Sequence, residues 1–584
     1  MSGTAPDNPH RLREKVRFAG KAAEALLGDH IAALCEPDAE RWQQVKHNVS
    51  RTVYRGRLGE AEVYLKHYHS PSLVHRIARG LGFSDAMCEM RSSEHLRSRG
   101  VHSPVALAAM CADGVEWLVT AALPGTITAD EWHSRQLARG RDGRAAIRRA
   151  IAAVAKIVGR MHAAGVIHRD LHCGNILMRT DTASPQPILA DLHRVSRRRR
   201  LSRRARAANL AQLLHDRRDF TTRTDRLRFL KYYLLASGAA GTLRGWQIMI
   251  EKFARRHTGG QHAQRDRRIT RDNRYFTRLA VGHGWHGHAV LESKRRLAGS
   301  QAAELVFTAE DWHRALARPE GLFSHPQALV VKDSRGSLVV RRPLQVGRHT
   351  VEVVLKRRRR KRPWKIIADL LRPARAIRAF KLGQVLLTRR IPTALPLAAL
   401  ERRFGPFLLD SILITEAVDG VRLNQFVDTH LARNGRSENR LDSAQQRQLA
   451  QEVLWQLGRL VQRLHDNKFA HRDLKATNML VSWAKGQVPE IILIDLDGLK
   501  RVRHLTARRK FQGLMRLNVS LLKCPSVNHA GRLRMLLGYL RRPGSGRINF
   551  KPYWRVLERW SDRKLDRQIR SRRRRQRAAR RPGT

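Results

Sequence analysis

The sequence predicts an α+β fold built as two tandem copies of one module, and three observations carry that expectation. The phrase "GVIHRDLHCGNILM" (Gly165 to Met178) returns as "KFAHRDLKATNML" (Lys468 to Leu480). Strand-like alternation and then helical periodicity precede both phrases in the same order. A short apolar strand ending in aspartate follows each of them. Ordered landmarks at a nearly constant offset, 290 to 304 positions, mean a duplicated unit.

The elements run as follows. "AEVYLKHY" alternates as a half-buried strand does and places Lys66 near its end; "TVEVVLKRR" does the same with Lys356. "CEMRSSEHLRSRGVHSP" and "RAFKLGQVLLTRRIPTA" then align without gaps as a helix and a turn. Next come the strands "EWLVTAALPG" and "SILITEAVDG", each closed by a turn. Long amphipathic helices, "AAIRRAIAAVAKIVGRMHAAG" and "AQQRQLAQEVLWQLGRLVQRLHDN", lead into the two phrases. "PILADLHRV" places Asp191 and "IILIDLDGL" places Asp495 at strand ends. The expected organisation is an N-terminal segment (1–29), a first domain (30–255), a basic Gly/His-rich connector (256–306), a second domain (307–560) and a basic tail (561–584).

Composition bounds the function. Hydrophobic residues make up 42% of the 584, enough for packed cores. Lys plus Arg number 114 against 50 Asp plus Glu, a net charge of +64, which favours polyanionic partners such as phosphate-rich substrates, acidic membrane or nucleic acid. Five scattered cysteines without a CxxC pair exclude a disulfide frame and a structural zinc site. The first residues carry no apolar signal core, and the most apolar stretch, Val105 to Leu123, is broken by Asp113, Gly114 and Glu116. A cytoplasmic location is expected, with peripheral contact at the inner face of the cell membrane.

A strand lysine, a helix glutamate, a loop Asp with Asn five residues on, and a strand-end Asp form the parts set of kinase-type phosphoryl transfer. The lysine, Lys66 or Lys356, neutralises nucleotide phosphates, and Glu89 orients Lys66. Asp170 and Asp473 accept the proton of the attacking hydroxyl. Asn175 with Asp191, and Asn478 with Asp495, offer oxygens to Mg²⁺. "HRDLHCGN" with "ADLHR", and "HRDLKATN" with "LIDLDG", resemble the bacterial lipopolysaccharide kinases (Kdo/WaaP type) of the protein-kinase-like superfamily. "GVHSP" and "RIPTA" resemble that family's turn after the first helix. The resemblance implies two tandem bilobal kinase-like domains, each with a small β-rich lobe and a larger helical lobe. It also implies use of ATP and Mg²⁺ and phosphorylation of a Kdo or heptose hydroxyl of the lipopolysaccharide inner core, or of a related envelope glycolipid.

The chain departs from the protein-kinase pattern. Neither strand-end Asp is followed by Phe-Gly, no Ala-Pro-Glu follows, and no GxGxxG precedes the lysines; "NVSRTVYRGRLGE" and "DSRGSLVVRR" stand there instead. The absence of Ala-Pro-Glu argues against a protein Ser/Thr kinase. The gapless alignment puts Ala379 where Glu89 stands, so the second copy is either a degraded site or one that draws on another carboxylate. Catalysis is therefore expected in the first copy.

The arginine runs Ser196 to Ala208 and Lys356 to Lys365 and the C-terminal tail complete the charge pattern. The first begins just after Asp191, where it would meet phosphates on an anionic acceptor or its membrane. A tandem pseudokinase binding anionic lipid or nucleic acid is the competing class. Trp364 is the one aromatic within the runs, which argues against nucleic-acid stacking. His283, His286 and His288 in "GHGWHGHAV" read as a tight surface hairpin rather than a metal cluster. Cys173 reads as a small apolar residue.

Overall fold

Alternation in Ala61–Tyr68 sends Val63 and Leu65 into a core with Trp42, Trp117 and Val119, which makes this strand the centre of a sheet. The computed structural model describes residues 13–48, 50–69, 84–112, 114–217, 221–294, 304–334, 336–358, 373–430, 443–484, 487–542 and 548–579. Most of the Lys356 to Lys365 run, with Trp364, lies outside them, as do the ends of the N-terminal segment and tail. The chain divides into two compact units, Met1–Gly259 and Gly260–Thr584.

The first unit opens with a six-stranded antiparallel sheet in the order Val16–Phe18, Ala106–Ala112, Val115–Ala121, Ala61–Tyr68, Arg51–Leu58, Gln43–Asn48. Helix Asp85–Arg97 packs against it; Ser84 caps its start by accepting the Met87 amide, and its buried face carries Glu89, Met90 and Leu96. A second core gathers the helices Gly140–Ala163, Arg203–Arg217, Arg223–Ser237 and Leu243–Arg268 around Val158, Met161, Leu210, Tyr233 and Trp246. This is the bilobal α+β arrangement expected.

The second unit repeats it. Its antiparallel sheet runs Phe276–Val281, Trp285–Val290, Pro396–Phe404, Phe407–Glu416, His349–Arg358, Ser337–Val346, Leu329–Ser334. Helix Arg375–Thr388 takes the place of Asp85–Arg97, and helices Ser443–Asp466, Ala507–Leu521, His529–Leu540 and Lys551–Ala579 form the larger lobe.

Three boundaries differ from the sequence expectation. Residues 276–290, read as connector, form a hairpin whose second strand joins the second sheet, with Ala289 opposite Ala398. Glycine and histidine obscured the alternation, yet Leu279, Trp285 and Ala289 all point into the core. A Cβ on Gly287 would stand 1.9 Å from the Ala399 carbonyl oxygen, so this glycine serves strand approach rather than linkage. His283 (φ 60°) sits in the hairpin's turn. In the N-terminal segment, Val16–Phe18 pairs with Ala108 to Met110 and Leu27 is buried. At the C-terminus, helix Lys551–Ala579 continues through Ser561, which is buried and accepts a hydrogen bond from Asn518 Nδ2 at 2.9 Å.

Both long helices that lead into the loops end in the left-handed conformation. Gly165 (φ 75°) does so where a Cβ would meet the Arg198 carbonyl at 2.2 Å. Lys468 (φ 64°), 303 positions on, adopts the same turn at a cost of about 1 kcal/mol. The duplication thus extends to backbone conformation.

A buried histidine is duplicated too. His162 accepts a hydrogen bond from the Tyr233 hydroxyl at Nδ1 (2.8 Å) and donates from Nε2 to Asn209 Oδ1 (3.0 Å). His465 takes the Tyr539 hydroxyl at Nδ1 (3.0 Å). Burial pushes both rings from 6.5 down to about 4, aided by Arg206 near the first and by Lys510 and Arg542 near the second. As pH falls the unfolded chain is protonated first, so stability is complete above about pH 6.5 and declines until about pH 4. Each ring should cost about 2 kcal/mol at pH 5. Urea midpoints recorded between pH 7 and 4.5 check this; midpoints that do not move would contradict it.

Candidate active site

The loops that hold Asp170 and Asp473 are fastened in one way. His168 Nδ1 accepts the Asp170 amide at 3.2 Å, while Nε2 donates to the Ala190 carbonyl at 3.1 Å, one residue before Asp191. His471 accepts the Asp473 amide at 3.1 Å and donates to the Asp495 carbonyl at 2.7 Å. Imidazole suits this position because its neutral ring accepts on one nitrogen and donates on the other. Burial pushes both rings down and keeps them in that neutral form. The loop histidine thereby links the backbone of the loop to that of the strand-end aspartate.

The two asparagines repeat each other as well. Asn175 Nδ2 donates to the Asp170 carbonyl at 2.9 Å, and Asn478 Nδ2 to the Asp473 carbonyl at 2.9 Å. This use of the amide nitrogen turns Oδ1 into the group's remaining acceptor. Asp170 and Asp473 have side chains about half exposed, open to an incoming hydroxyl. Lys475 Nζ lies 2.8 Å from Asp473 Oδ2; the matching position in the first unit, His172, lies 3.8 Å from Asp170 Oδ2.

The lysine positions differ between the units. Lys66 Nζ meets Glu89 Oε1 at 2.5 Å, and the Tyr68 hydroxyl donates to Oε2. Glu89 Oε1 also accepts the Leu192 amide at 3.3 Å, which ties the helix to the residue after Asp191. Burial works to raise the Glu89 carboxyl, but Lys66 and these hydrogen bonds outweigh it and hold it low. In the second unit Ala379 is buried on the corresponding helix, and no carboxylate comes from there. Lys356 instead meets Asp497 Oδ2 at 2.7 Å and Asp495 Oδ1 at 3.3 Å. Burial would lower Lys356, but Asp497 and then Asp495 raise it; Lys356 in turn holds Asp495 low against its burial. Asp497 thus meets Lys356 where the second unit has no helix glutamate.

The strand-end aspartates differ more. Asp191, in the left-handed region (φ 63°), is gripped by Arg51: Nη2 donates to Oδ2 at 2.7 Å and Nη1 to Oδ1. His193 Nδ1 lies 2.7 Å from Asp191 Oδ1. Burial alone would raise the Asp191 carboxyl; Arg51 and His193 reverse this and hold it far below the carboxylate range. Arg51 is itself raised, burial notwithstanding, chiefly by Asp191. Sequence reading missed Arg51 because arginine on an exposed-looking strand carries no signal of its partner; Asp497, two residues past Asp495, was visible without an assigned role.

The basic run after Asp191 is tied to the loop through its backbone. Val195–Arg197 pairs with Val166–His168, Arg169 N–H donates to the Arg194 carbonyl at 2.8 Å, and Arg197 to Arg200 are exposed. Among the described residues, Glu89, Asp191 and His193 are the one group of three or more His, Cys, Asp or Glu close enough to share a cation; His283, His286 and His288 are not.

The lipopolysaccharide kinase (Kdo/WaaP) family matches the chain over residues 39–233 and 328–539, one stretch in each unit. Over 121 residues the chain is 36% identical to lipopolysaccharide core heptose(I) kinase WaaP of Pseudomonas aeruginosa, a match covering 18% of this chain and 44% of that protein. The chain thus spans under half the length of that relative. Among solved structures, WaaP in complex with acyl carrier protein aligns over 41% of this chain and 98% of that one, at 24% identity and a TM-score of 0.33.

Proposed function

The chain belongs to the lipopolysaccharide kinase (Kdo/WaaP) family, and from that premise we propose that it transfers the γ-phosphoryl group of ATP to a sugar hydroxyl of the lipopolysaccharide inner core, Kdo or heptose, or of a related envelope glycolipid. The observation that carries this reading is the twice-built loop. In each unit a histidine and an asparagine couple an exposed aspartate and the strand-end aspartate into one backbone-fastened set.

In the second unit, Asp473 accepts the proton of the attacking hydroxyl, and its exposure admits a bulky acceptor. Lys356, positioned by Asp497, neutralises phosphate charge on the nucleotide. Asp495 and Asp497 each give Lys356 one oxygen, so their second oxygens with Asn478 Oδ1 are the hard donors that would hold Mg²⁺. When bound, the cation neutralises phosphate charge. The exposed arginines after Asp191 support an acceptor that carries phosphates of its own, with peripheral contact at an anionic membrane surface. No helix among the described residues is long and apolar enough to cross a membrane.

The test supplies labelled ATP and Mg²⁺ with lipid A–Kdo or core oligosaccharide, with a generic protein, or with no acceptor. Label should enter the glycolipid alone and fall at least about 10²-fold in the Asp170→Asn/Asp473→Asn double variant. Label in the protein would point to a Ser/Thr kinase. Nucleotide binding without transfer to any acceptor would point to a tandem pseudokinase.

A further inference from the structure

We propose that Arg51 is a built-in cation that shuts divalent metal out of the first unit, so that metal-dependent phosphotransfer is confined to the second. This rests on the kinase reading above and assigns the division of labour between the units.

Sheet register makes the comparison residue by residue. Lys66 stands opposite Val53, and Lys356 opposite Val339. Two residues upstream on the partner strand the first unit has Arg51 and the second has Ser337. Two residues past the strand-end aspartate the first has His193 and the second has Asp497. These exchanges reverse the local charge. In the first unit two cations, Lys66 and Arg51, face two carboxylates, Glu89 and Asp191. In the second one cation, Lys356, faces two carboxylates, Asp495 and Asp497.

Around the strand lysine and strand-end aspartate, surplus negative charge therefore exists only in the second unit; the loop aspartate there, Asp473, is paired with Lys475. Geometry points the same way. The ligand atoms of Glu89, Asp191 and His193 lie within 4.8 Å of one another, close enough to share a cation. Yet both Asp191 oxygens are taken by the guanidinium fork, and both Glu89 oxygens by Lys66 and Tyr68. Arg51 is 8% exposed and Asp191 largely buried, so water does not screen the pair. A metal ion there would have to expel a charge already fitted to the same two oxygens. The Asp191 and Asn175 set does not fit Mg²⁺ while Arg51 is in place.

The test dialyses the full chain to equilibrium against Mn²⁺ with saturating β,γ-imido-ATP and counts protein-bound metal as the excess of Mn²⁺ on the protein side. The parent chain should take up a single Mn²⁺, abolished by Asp495→Asn and unaffected by Asp191→Asn. Arg51→Ser, which installs the second unit's residue, should add a second Mn²⁺ that Asp191→Asn then removes; Arg51→Lys should add none. Two ions in the parent, or loss of the parent's ion in Asp191→Asn, would overturn the proposal. So would an Arg51→Ser chain that melts like the parent and gains no metal. Should Arg51→Ser fail to fold, the comparison of Asp191→Asn with Asp495→Asn decides alone. Failure of the chain to bind the nucleotide analogue at all would overturn the kinase reading and this proposal together, whereas two bound ions would overturn the proposal only.

Discussion

Asp473→Asn should lower phosphotransfer to the proposed glycolipid acceptor by about 10²–10⁴-fold, the range expected when a positioned proton acceptor is removed. Asparagine keeps the size of the side chain and one of its oxygens, so the loop should hold its shape. That shape depends on the Asp473 amide and carbonyl, which bond His471 and Asn478 and survive the change. What is lost is the charge that pairs with Lys475 and, in the proposed mechanism, takes the proton. The effect should therefore fall on kcat, with the KM for ATP nearly unchanged, because Lys356, Asp495 and Asp497 are untouched. Initial rates with labelled ATP measure it. A rate within a few-fold of the parent would move the transfer to Asp170.

Asp266→Ala destabilises the second unit by about 3–5 kcal/mol, because it strands a buried charge. Arg389 has a side chain only 1% exposed, and its guanidinium meets Asp266 through two bonds, at 2.9 Å and 2.8 Å. Its remaining contacts, the Val385 carbonyl and the Thr388 hydroxyl, are neutral acceptors that do not balance the charge. Arg501 also reaches Asp266, at 2.7 Å, but is 45% exposed and rehydrates when freed. Arg501→Ala should thus cost under about 1 kcal/mol. Replacing both buried partners, as Asp266→Ala/Arg389→Met, should recover much of the loss. Urea unfolding followed by tryptophan fluorescence reads these differences in the transition of the second unit. Equal midpoints for Asp266→Ala and the parent would refute the account.

Much of the site was legible because its chemistry is local in the chain. Asp170 with Asn175, and Asp473 with Asn478, share one loop, and the backbone bonds between them follow from the five-residue spacing. Lys66 and Glu89 meet as their places on strand and helix imply. Ala379 was legible as a missing partner, though its remedy, Asp497, was not. A carboxylate two residues from Asp495 reaches Lys356 from the turn after the strand, where the Asp497 amide donates to Asp495 Oδ1 at 3.2 Å. The hairpin at 276–290 was hidden for another reason: glycines demanded by close strands look like linker composition.

The sequence by itself determined the duplication, the α+β bilobal class and the residues each loop presents, since those follow from periodicity and short spacings. Only the tertiary structure decided which charges meet. Arg51 and Asp191 stand 140 positions apart, and they meet only because folding brings the start of the Arg51–Leu58 strand, in the six-stranded sheet, to the turn after Pro187–Leu189, in a separate sheet. Two nearly identical phrases therefore sit beside different charge groups, Arg51 with Asp191 in one unit and Lys356 with Asp495 and Asp497 in the other.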